Sequence, residues 1–480
     1  MCLPNREGDF MATRRQILTT LGAATLVGSL PAAADTAAAS CKTIIPKRTL
    51  GRTGRLVTPL ALGGQAALMW TPDGVDPADI IVRAVELGVN YLDTSNLYAD
   101  SQLHYGEAFR RMNLVPGKSG YNAALREHLY LASKTRQRFG NVPDPTGATA
   151  VTDLKRSLSQ IFGDGKGAFP EGAYLDCMQM HDVTTPEDLA QAYAALTARG
   201  GKMPEKIGTF VTLLDYRDGT NYTGFNPDHR RWIRHIGITG HWATVLIEAI
   251  RRDEGQDLDT LLTPLNVCDM QYIPTRTNLL PLAMGRGMGV IAMKVFADGI
   301  LVGKERRWTR GADDLITSVG DITGKLDYRE MIRYTLSQPG VSCAVIGISH
   351  IDRTDPRKDQ LVANLAAAVD APMTSEEWAA MDKQAAEVYH GNTNSFQQRA
   401  RGLVQPTDIK LVNENGRVAV TWQSGCAGVK PILSWRINSG GKTLLTIPFR
   451  MQLTMAPLKA YLDLADVKDG KVEVVASETA

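Results

Sequence analysis

The chain has 480 residues, of which 44% are hydrophobic and 22% are charged, a balance typical of a globular protein with a sizeable core rather than a disordered one. The 53 basic residues nearly equal the 51 acidic ones, and no Lys/Arg run suits a phosphate backbone, so nucleic acid is not an expected partner. This length exceeds one ordinary domain, and we expect one large domain with a smaller one.

Residues 1–40 have the pattern of an export signal. Thr13-Arg14-Arg15-Gln16-Ile17-Leu18 precedes an apolar stretch at 21–30, and small residues follow at 31–34. This order resembles a twin-arginine signal, with an amphipathic first helix as the alternative. The stretch is too short to cross a bilayer, which takes about 20 residues. We therefore expect recognition by the export machinery, a periplasmic or otherwise exported protein, and no integral membrane segment in its mature form.

The cysteines form no CxxC pair and have no metal-ligand spacing, so no metal site is expected. Lipid attachment at Cys41 and a disulfide such as Cys41–Cys426 both stay open, because export leads to an oxidising compartment.

Between residues 58 and 390, short apolar segments alternate with helix-like segments, as in a parallel sheet covered by helices. Eight such segments predict a closed α/β barrel, the (β/α)8 TIM barrel, over residues 41–400. The predicted strands are Pro59–Gly63, Asn90–Thr94, Leu129–Lys134, Tyr174–His181, His235–His241, Asn266–Tyr272, Gly289–Phe296 and Ser342–Ile348.

Capping signals mark the starts of three predicted helices. Asp76-Pro77 and Thr185-Pro186 each place an N-cap before a proline, and Thr374-Ser375-Glu376-Glu377 is a capping box that opens a late helix. Two long segments, Gly200–Trp232 and Asp298–Asp327, interrupt the alternation, which is typical of functional or disordered loops.

A change of pattern after residue 400 predicts a second domain over residues 401–480. Alternating residues flank the hairpin signal Asn415-Gly416, and further strands are expected at Ile432–Ile437, Thr443–Phe449 and Val472–Ala476. We predict a small all-β sandwich of fibronectin or immunoglobulin type.

Ionisable residues follow three consecutive predicted strands, at the end where TIM barrels carry their reactive groups: Asp93 and Tyr98, Lys134, and His181. The Tyr98 hydroxyl keeps its proton at neutral pH and can supply it to the alkoxide that forms when a carbonyl is reduced. We expect Lys134 to lower the pKa of Tyr98 and the Asp93 carboxylate to hold Lys134 charged. His181 can hydrogen-bond the substrate oxygen. Each residue singly has a structural alternative, such as a bracing Asp–Lys pair.

The segments Leu92-Asp93-Thr94-Ser95-Asn96-Leu97-Tyr98, Ala132-Ser133-Lys134-Thr135 and Met178-Gln179-Met180-His181 together resemble the aldo-keto reductases, over about residues 47–390. The resemblance implies a hydride-transfer enzyme that uses NAD(P)H and interconverts a carbonyl compound (aldehyde, ketone or sugar) and an alcohol. It assigns the catalytic roles to Asp93, Tyr98, Lys134 and His181.

The same resemblance implies a nicotinamide dinucleotide site. Thr239-Gly240 occupies the place of a Ser-Asn pair that holds the nicotinamide, Tyr272 matches a stacking aromatic, and Asp269 stands where glutamine is common. The remaining implied cofactor-binding residues are Lys294, Gly347, Ser349, Gln360 and Asn364.

Arg353, in the basic segment 353–358, has a guanidinium group suited to a 2′-phosphate, which favours NADP over NAD. No GxGxxG fingerprint follows a predicted strand, so a Rossmann domain is not expected. Since free dinucleotides are scarce outside the cytoplasm, we hypothesise that NADP is bound before export and retained. The alternative function is an inactive barrel that binds a carbohydrate or another small molecule.

Overall fold

Eight parallel strands close into a barrel in the computed structural model, which describes residues 45–271, 274–302, 326–388, 403–428 and 430–479. Two short strands, β1 and β2, precede the barrel and pair with each other. Each barrel strand pairs with the next along the chain, and β10 pairs with both β9 and β3, which closes the ring. The strands are β1 Arg48–Thr49, β2 Leu56–Val57, β3 Leu60–Gly63, β4 Tyr91–Asp93, β5 Tyr130–Thr135, β6 Leu175–Met180, β7 Ile233–Thr239, β8 Thr260–Pro264, β9 Gly289–Met293 and β10 Val341–Gly347.

The barrel confirms the predicted fold class, and seven of the eight predicted strands overlap an observed one. The prediction of the sixth strand at Asn266–Tyr272 is wrong, since β8 spans Thr260–Pro264. The Asn266 side-chain carbonyl accepts the backbone N–H groups of Cys268 and Asp269 at 3.1 and 2.9 Å. This local turn diverts the chain from the sheet directly after β8.

The described helices lie between the strands, and those over 150–162, 209–218 and 243–252 pack against the barrel wall or one another. Asp76, Thr185 and Thr374 accept hydrogen bonds from the first-turn N–H groups as the capping signals predict. The segment Gly200–Trp232 contains one of these helices, whereas most of Asp298–Asp327 lies outside the described residues. The helices are α1 Pro77–Glu86, α2 Ser101–Arg111, α3 Ala123–His128, α4 Ala150–Phe162, α5 Pro186–Ala192, α6 Thr209–Asp218, α7 Ala243–Arg252, α8 Leu280–Gly285, α9 Tyr328–Leu336, α10 Gln360–Ala368 and α11 Ser375–Val388.

Large side chains fill the barrel interior. Tyr91 and Tyr130 are fully buried and stack with their ring centroids 5.1 Å apart, beside Leu50, Cys177 and Cys343. Because this packing fills the barrel interior among the described residues, we expect a ligand to bind at the carboxyl end of the strands.

Two three-stranded antiparallel sheets follow the barrel. Trp422 and Trp435, one from each sheet, are buried in a shared core with ring centroids 5.8 Å apart. Asn415 and Gly416 have φ values of 52° and 81°, as the predicted hairpin turn requires. The fibronectin or immunoglobulin type stays a prediction. The sheets contain β11 Thr407–Glu414, β12 Arg417–Gln423 and β15 Leu458–Asp463, and β13 Ser434–Ser439, β14 Lys442–Pro448 and β16 Glu473–Ser477.

The barrel and these sheets belong to one compact unit, Ile45–Ala480. The predicted export signal at residues 1–40 and Cys41 lie outside the described residues. Within the described ranges, no helix combines the length and the apolar character needed to cross a membrane.

Candidate active site

The structure brings the four predicted catalytic residues together at the carboxyl end of the barrel. Lys134, on β5, is fully buried, and its Nζ lies 2.5 Å from Asp93 Oδ2 and 3.4 Å from the Tyr98 hydroxyl oxygen. The His181 ring meets the Tyr98 ring edge-on, with centroids 5.7 Å apart. The four side chains thus form one connected cluster with a carboxylate, an ammonium group, a phenol and an imidazole.

The register of the parallel strands explains this convergence. Asp93 ends β4 and pairs with Ala132 of β5, so Lys134 projects just beyond the carboxyl end of β4. The Lys134 ammonium group also donates to the Thr94 carbonyl at 2.8 Å, which fixes its direction. Tyr98 is placed by the turn between β4 and α2, where its N–H donates to the Ser95 carbonyl.

Burial decides the protonation of Tyr98. Burial, then the charges of Asp93, Asp182 and Asp298, raise the pKa of the Tyr98 hydroxyl well above its usual range. The pKa of Tyr98 is therefore not below its usual range, because burial is the largest cause of its shift, and the influence of Lys134 on it stays a prediction. At neutral pH Tyr98 is therefore protonated and can act as a proton donor.

His181 is neutral and is held by a serine. Burial and the nearby Lys134 charge lower the pKa of His181 well below its usual range. Its Nδ1 lies 3.1 Å from the hydroxyl oxygen of the fully buried Ser95. Ser95 also accepts the Leu97 N–H at 3.2 Å, so its own proton can go to the imidazole and leave Nε2–H to face a substrate oxygen.

Two polar residues at strand ends, Asp182 and His241, were not predicted as site residues. His241 Nδ1 lies 3.1 Å from Asp182 Oδ1, and both residues line the cavity described next. Although burial acts in the opposite direction, the His241 hydrogen bond holds the pKa of Asp182 below its usual range. Arg136, half exposed, lies 3.6 Å from Asp182 Oδ2. The sequence signal that could have identified these residues is their position shortly after a barrel strand. Asp182 follows β6, His241 follows β7 and Arg136 follows β5.

A cavity of 520 Å³ opens at this end of the barrel. It extends from Asp93, Tyr98 and His181 across the strand ends to the segment that follows β10 and to the first turns of α10. Six of the predicted cofactor-binding residues line it: Thr239, Lys294, Gly347, Ser349, Gln360 and Asn364. The structure thus places these six residues in the same cavity as the catalytic candidates.

The other predicted cofactor-binding residues are placed differently. Gly240 does not line the described cavity, and a Cβ atom there would lie 2.5 Å from the Val183 carbonyl oxygen, too close for any side chain without movement. Tyr272 lies outside the described residues. Arg353 Nη2 and Nη1 pair with Asp79 and Glu86 of α1 at 2.6 and 2.7 Å, and Arg353 does not line the described cavity.

The segment after β10 is fixed by a side chain of α10. Gln360 Oε1 accepts the backbone N–H groups of Ser349 and His350 at 2.8 and 3.1 Å. Gln360 therefore shapes the cavity wall. Lys294, which follows the neighbouring strand β9, has a left-handed φ of 59° and is paired with Asp298, so its charge is already balanced.

No protein-family model matches the chain. The chain is 22% identical over 355 residues to the uncharacterized oxidoreductase YqkF of Bacillus subtilis, covering 70% of this chain and 95% of YqkF. It is 28% identical over 153 residues to a 6-dehydroglucose reductase of Novosphingobium aromaticivorans, covering 30% of this chain and 43% of the reductase.

Two examples of solved structures that are similar to this chain are aldo-keto reductases. The holo form of the aldo-keto reductase AKR11C1 from Bacillus halodurans is 20% identical with a TM-score of 0.44, covering 73% of this chain and 98% of that one. An aldo/keto reductase from Klebsiella pneumoniae in complex with NADP and acetate is 16% identical with a TM-score of 0.44, covering 74% and 100%.

Proposed function

We propose that this chain is an exported, NADP-dependent oxidoreductase of the aldo-keto reductase type. It interconverts a carbonyl group of an aldehyde, ketone or sugar and an alcohol by hydride transfer, with Tyr98 as general acid/base. The observation that carries the proposal is the contact of one buried ammonium group, Lys134 Nζ, with both Asp93 and Tyr98 in a cavity that His181 also lines. Similarity to a curated oxidoreductase and a curated reductase supports the reaction class.

The chain's own residues account for proton transfer. The substrate carbonyl oxygen lies between the Tyr98 hydroxyl and the His181 imidazole, and both donate hydrogen bonds to it. As negative charge develops on that oxygen, Tyr98 gives up its proton. The Lys134 ammonium group then stabilises the phenolate, while Asp93 keeps Lys134 aimed at it.

The cavity residues suit a nicotinamide dinucleotide. A reduced dinucleotide supplies the hydride when it is bound. The Thr239 hydroxyl would hold the nicotinamide end near Tyr98, and Gly347, Ser349 and Asn364 would hold the other end. Gly347 lines the cavity, and the Ala66 side chain lies so close that a Cβ atom at position 347 would meet it at 2.9 Å, so glycine is the residue that fits this wall without movement.

The preference for NADP over NAD rests on the basic segment 353–358. Arg357 and Lys358 have side chains that are 88% and 70% exposed, and the segment joins Ser349 to Gln360, which line the cavity. Arg353 can bind the 2′-phosphate only if it gives up its ion pairs with Asp79 and Glu86. A lower affinity for NADP, but not for NAD, in Arg357→Gln supports the preference; equal affinities of the unmodified protein for both dinucleotides contradict it.

Export rests on the sequence pattern of residues 1–40 alone. We propose that the protein crosses the membrane folded, with its dinucleotide retained, because supply outside the cytoplasm is poor. Protein isolated from the exported fraction should then release a dinucleotide on denaturation. Exported protein that carries no nucleotide and binds none tightly contradicts retention.

The reductase proposal is tested by NADPH oxidation with a panel of aldehydes, ketones and sugars. Tyr98→Phe should lower kcat by about 10² to 10⁴, because it removes the proton donor, and should leave NADPH fluorescence quenching intact. Tyr193→Phe is the matched control: Tyr193 is 9% exposed against 8% for Tyr98, and its hydroxyl donates to the Ala249 carbonyl, away from the cavity.

The same assays distinguish the proposed reductase from the alternative function. No nucleotide quenching, and no turnover in either the unmodified protein or Tyr98→Phe, would favour a barrel that only binds a carbohydrate or another small molecule. Turnover that is equal in Tyr98→Phe and the unmodified protein would contradict the assigned proton donor.

A further inference from the structure

A buried arginine lies where α7 meets the C-terminal sheets. Arg251, in the last turn of α7, is only 8% exposed. Its Nε donates to the Gln452 carbonyl at 3.2 Å. In the described part of the chain, no carboxylate oxygen comes within 4.0 Å of its guanidinium group. Among the described residues, Arg251 is therefore a buried cation with a neutral hydrogen-bond partner and no carboxylate in direct contact, although the charge of Glu248 acts on it from farther away.

Two other arginines are paired with a carboxylate, whereas the buried Arg286 donates, like Arg251, to a backbone carbonyl. Arg252, the next residue, has a 45% exposed side chain and still pairs with Glu248 at 2.6 Å. Arg126, whose side chain is 1% exposed, pairs with Asp176 at 2.8 Å. A buried charge is stabilised by an opposite charge close to it, so an anion beside Arg251 would be favourable. Burial lowers the pKa of Arg251, and the charge of Glu248, which is already paired with Arg252, only partly offsets this effect.

A cavity of 330 Å³ adjoins Arg251. One wall comes from α7, with Ile247 and Glu248, and the other from the C-terminal part, with Val404, Gln423, Ser424 and Met455. It shares no lining residue with the candidate active site. Since Arg251 lies about 12 Å along α7 from the helix start that follows β7, this cavity is remote from Tyr98 and His181.

We propose that this cavity binds a small organic carboxylate, whose two oxygens pair with the Arg251 guanidinium group. A carboxylate matches the planar donor pair of arginine. One buried cation balances one negative charge. Glu248, which also lines the cavity, is paired with Arg252, and Asp408 adds a further negative charge, so a dianion such as phosphate is disfavoured more than a monocarboxylate. Ile247, Val404 and Met455 offer apolar surface to the body of the ligand. The bound carboxylate joins the barrel to the sheets and is independent of the proposed reductase chemistry.

The test is calorimetric titration of the full chain with sodium propionate and sodium benzoate, at an ionic strength held constant with chloride. Saturable binding is expected for the unmodified protein, at least tenfold weaker in Arg251→Met and Arg251→Gln, and unchanged in Arg417→Met. The last variant removes a charge of the same sign from the C-terminal sheets, at a side chain that does not line the cavity. Inorganic phosphate is titrated in parallel and should bind more weakly than propionate.

A second measurement uses only the unmodified protein, so its result does not depend on whether the Arg251 variants fold. In the unmodified protein, propionate should slow hydrogen exchange within residues 243–252 and 420–428, on both walls of the cavity. Absence of saturable binding, equal binding by Arg251→Met and the unmodified protein, protection confined to the active-site end of the barrel, or tighter binding of phosphate would each overturn the proposal.

Discussion

The orientation of His181 depends on one hydroxyl group. A neutral imidazole carries one proton, and the hydrogen bond at one ring nitrogen decides which nitrogen donates to the substrate. Ser95 Oγ lies 3.1 Å from Nδ1 and already accepts the Leu97 N–H. Ser95 thus acts through His181 as a positioning residue rather than on the substrate itself.

We predict that Ser95→Ala lowers kcat by about tenfold, the equivalent of one hydrogen bond of about 1.4 kcal/mol, with little change in KM. Nitrogen-15 NMR of the histidine ring should show a lower population of the Nε2–H tautomer. Ser101→Ala is the control, since Ser101 is equally buried and bonds to Thr94 Oγ1 at 2.9 Å instead of to a ring. An unchanged tautomer in Ser95→Ala would contradict this role.

Single site residues were predictable from the sequence where each of them follows a predicted strand. Asp93, Tyr98, Lys134 and His181 follow consecutive parallel strands, so their order along the chain becomes proximity in space. The partners of Arg353 were not predictable in this way. They lie on α1, more than 260 residues earlier in the chain, and many surface carboxylates fit a loop arginine equally well.

At the scale of elements, α4 joins the catalytic end of β5 through a buried carboxyl group. Asp153 is 4% exposed, and its Oδ2 accepts the Thr135 hydroxyl at 2.7 Å, one residue after Lys134. Burial raises the pKa of Asp153 to about 6. An unfolded aspartate has a pKa of about 4, so the unfolded chain releases its proton at lower pH than the folded chain.

We predict that the Asp153 contribution to the free energy of unfolding decreases as pH rises from about 4 to about 6 and is constant above that range. Asp153→Asn keeps an acceptor for Thr135 and removes this titration. The variant should therefore gain about 1 to 3 kcal/mol relative to the unmodified protein between pH 4 and pH 7.

Urea unfolding at several pH values measures the difference. Asp228→Asn, at a side chain that is 71% exposed, is the control and should leave the pH profile unchanged. A constant difference between Asp153→Asn and the unmodified protein across this pH range would show that Asp153 does not titrate there.

Strand positions were predictable from continuous apolar runs, and the exception has a local cause. The run around Leu261-Leu262 is short, and the apolar residues after Asn266 extend the same pattern past the true strand end. Only the hydrogen bonds of the Asn266 side chain, which compete with the sheet, distinguish the turn from a strand. β15 was missed because its alternation is weak and charged residues interrupt it.

At the scale of the whole molecule, the barrel and the sheets share a buried junction. The Ala427 N–H donates to Asn278 Oδ1 at 3.1 Å, and the two residues are 3% and 1% exposed. Cys426 and Met451 pack against the core of the barrel. Because polar and apolar contacts are both buried here, we expect the two parts to unfold together rather than as separate domains.

We predict that Asn278→Ala lowers the free energy of unfolding by about 1 to 3 kcal/mol, since it leaves the Ala427 N–H buried without an acceptor. Scanning calorimetry of the unmodified protein should give a single transition that broadens or splits in the variant. Thr454→Ala removes a similar bond to the Ala456 N–H in an exposed turn and should change stability little. Two transitions in the unmodified protein would contradict the coupling.

The closure of the ring by β10 has a consequence for the order of folding. Gly347 of β10 pairs with Gly63 of β3, although most of the chain separates them. Joining such distant segments carries a large entropic cost and is slow. A nascent chain that ends before Val341 has the four catalytic candidates, yet it lacks the wall formed by Val345, Gly347 and Ser349. Ligand capture must therefore follow synthesis of the eighth barrel strand, whatever the order in which the earlier strands assemble.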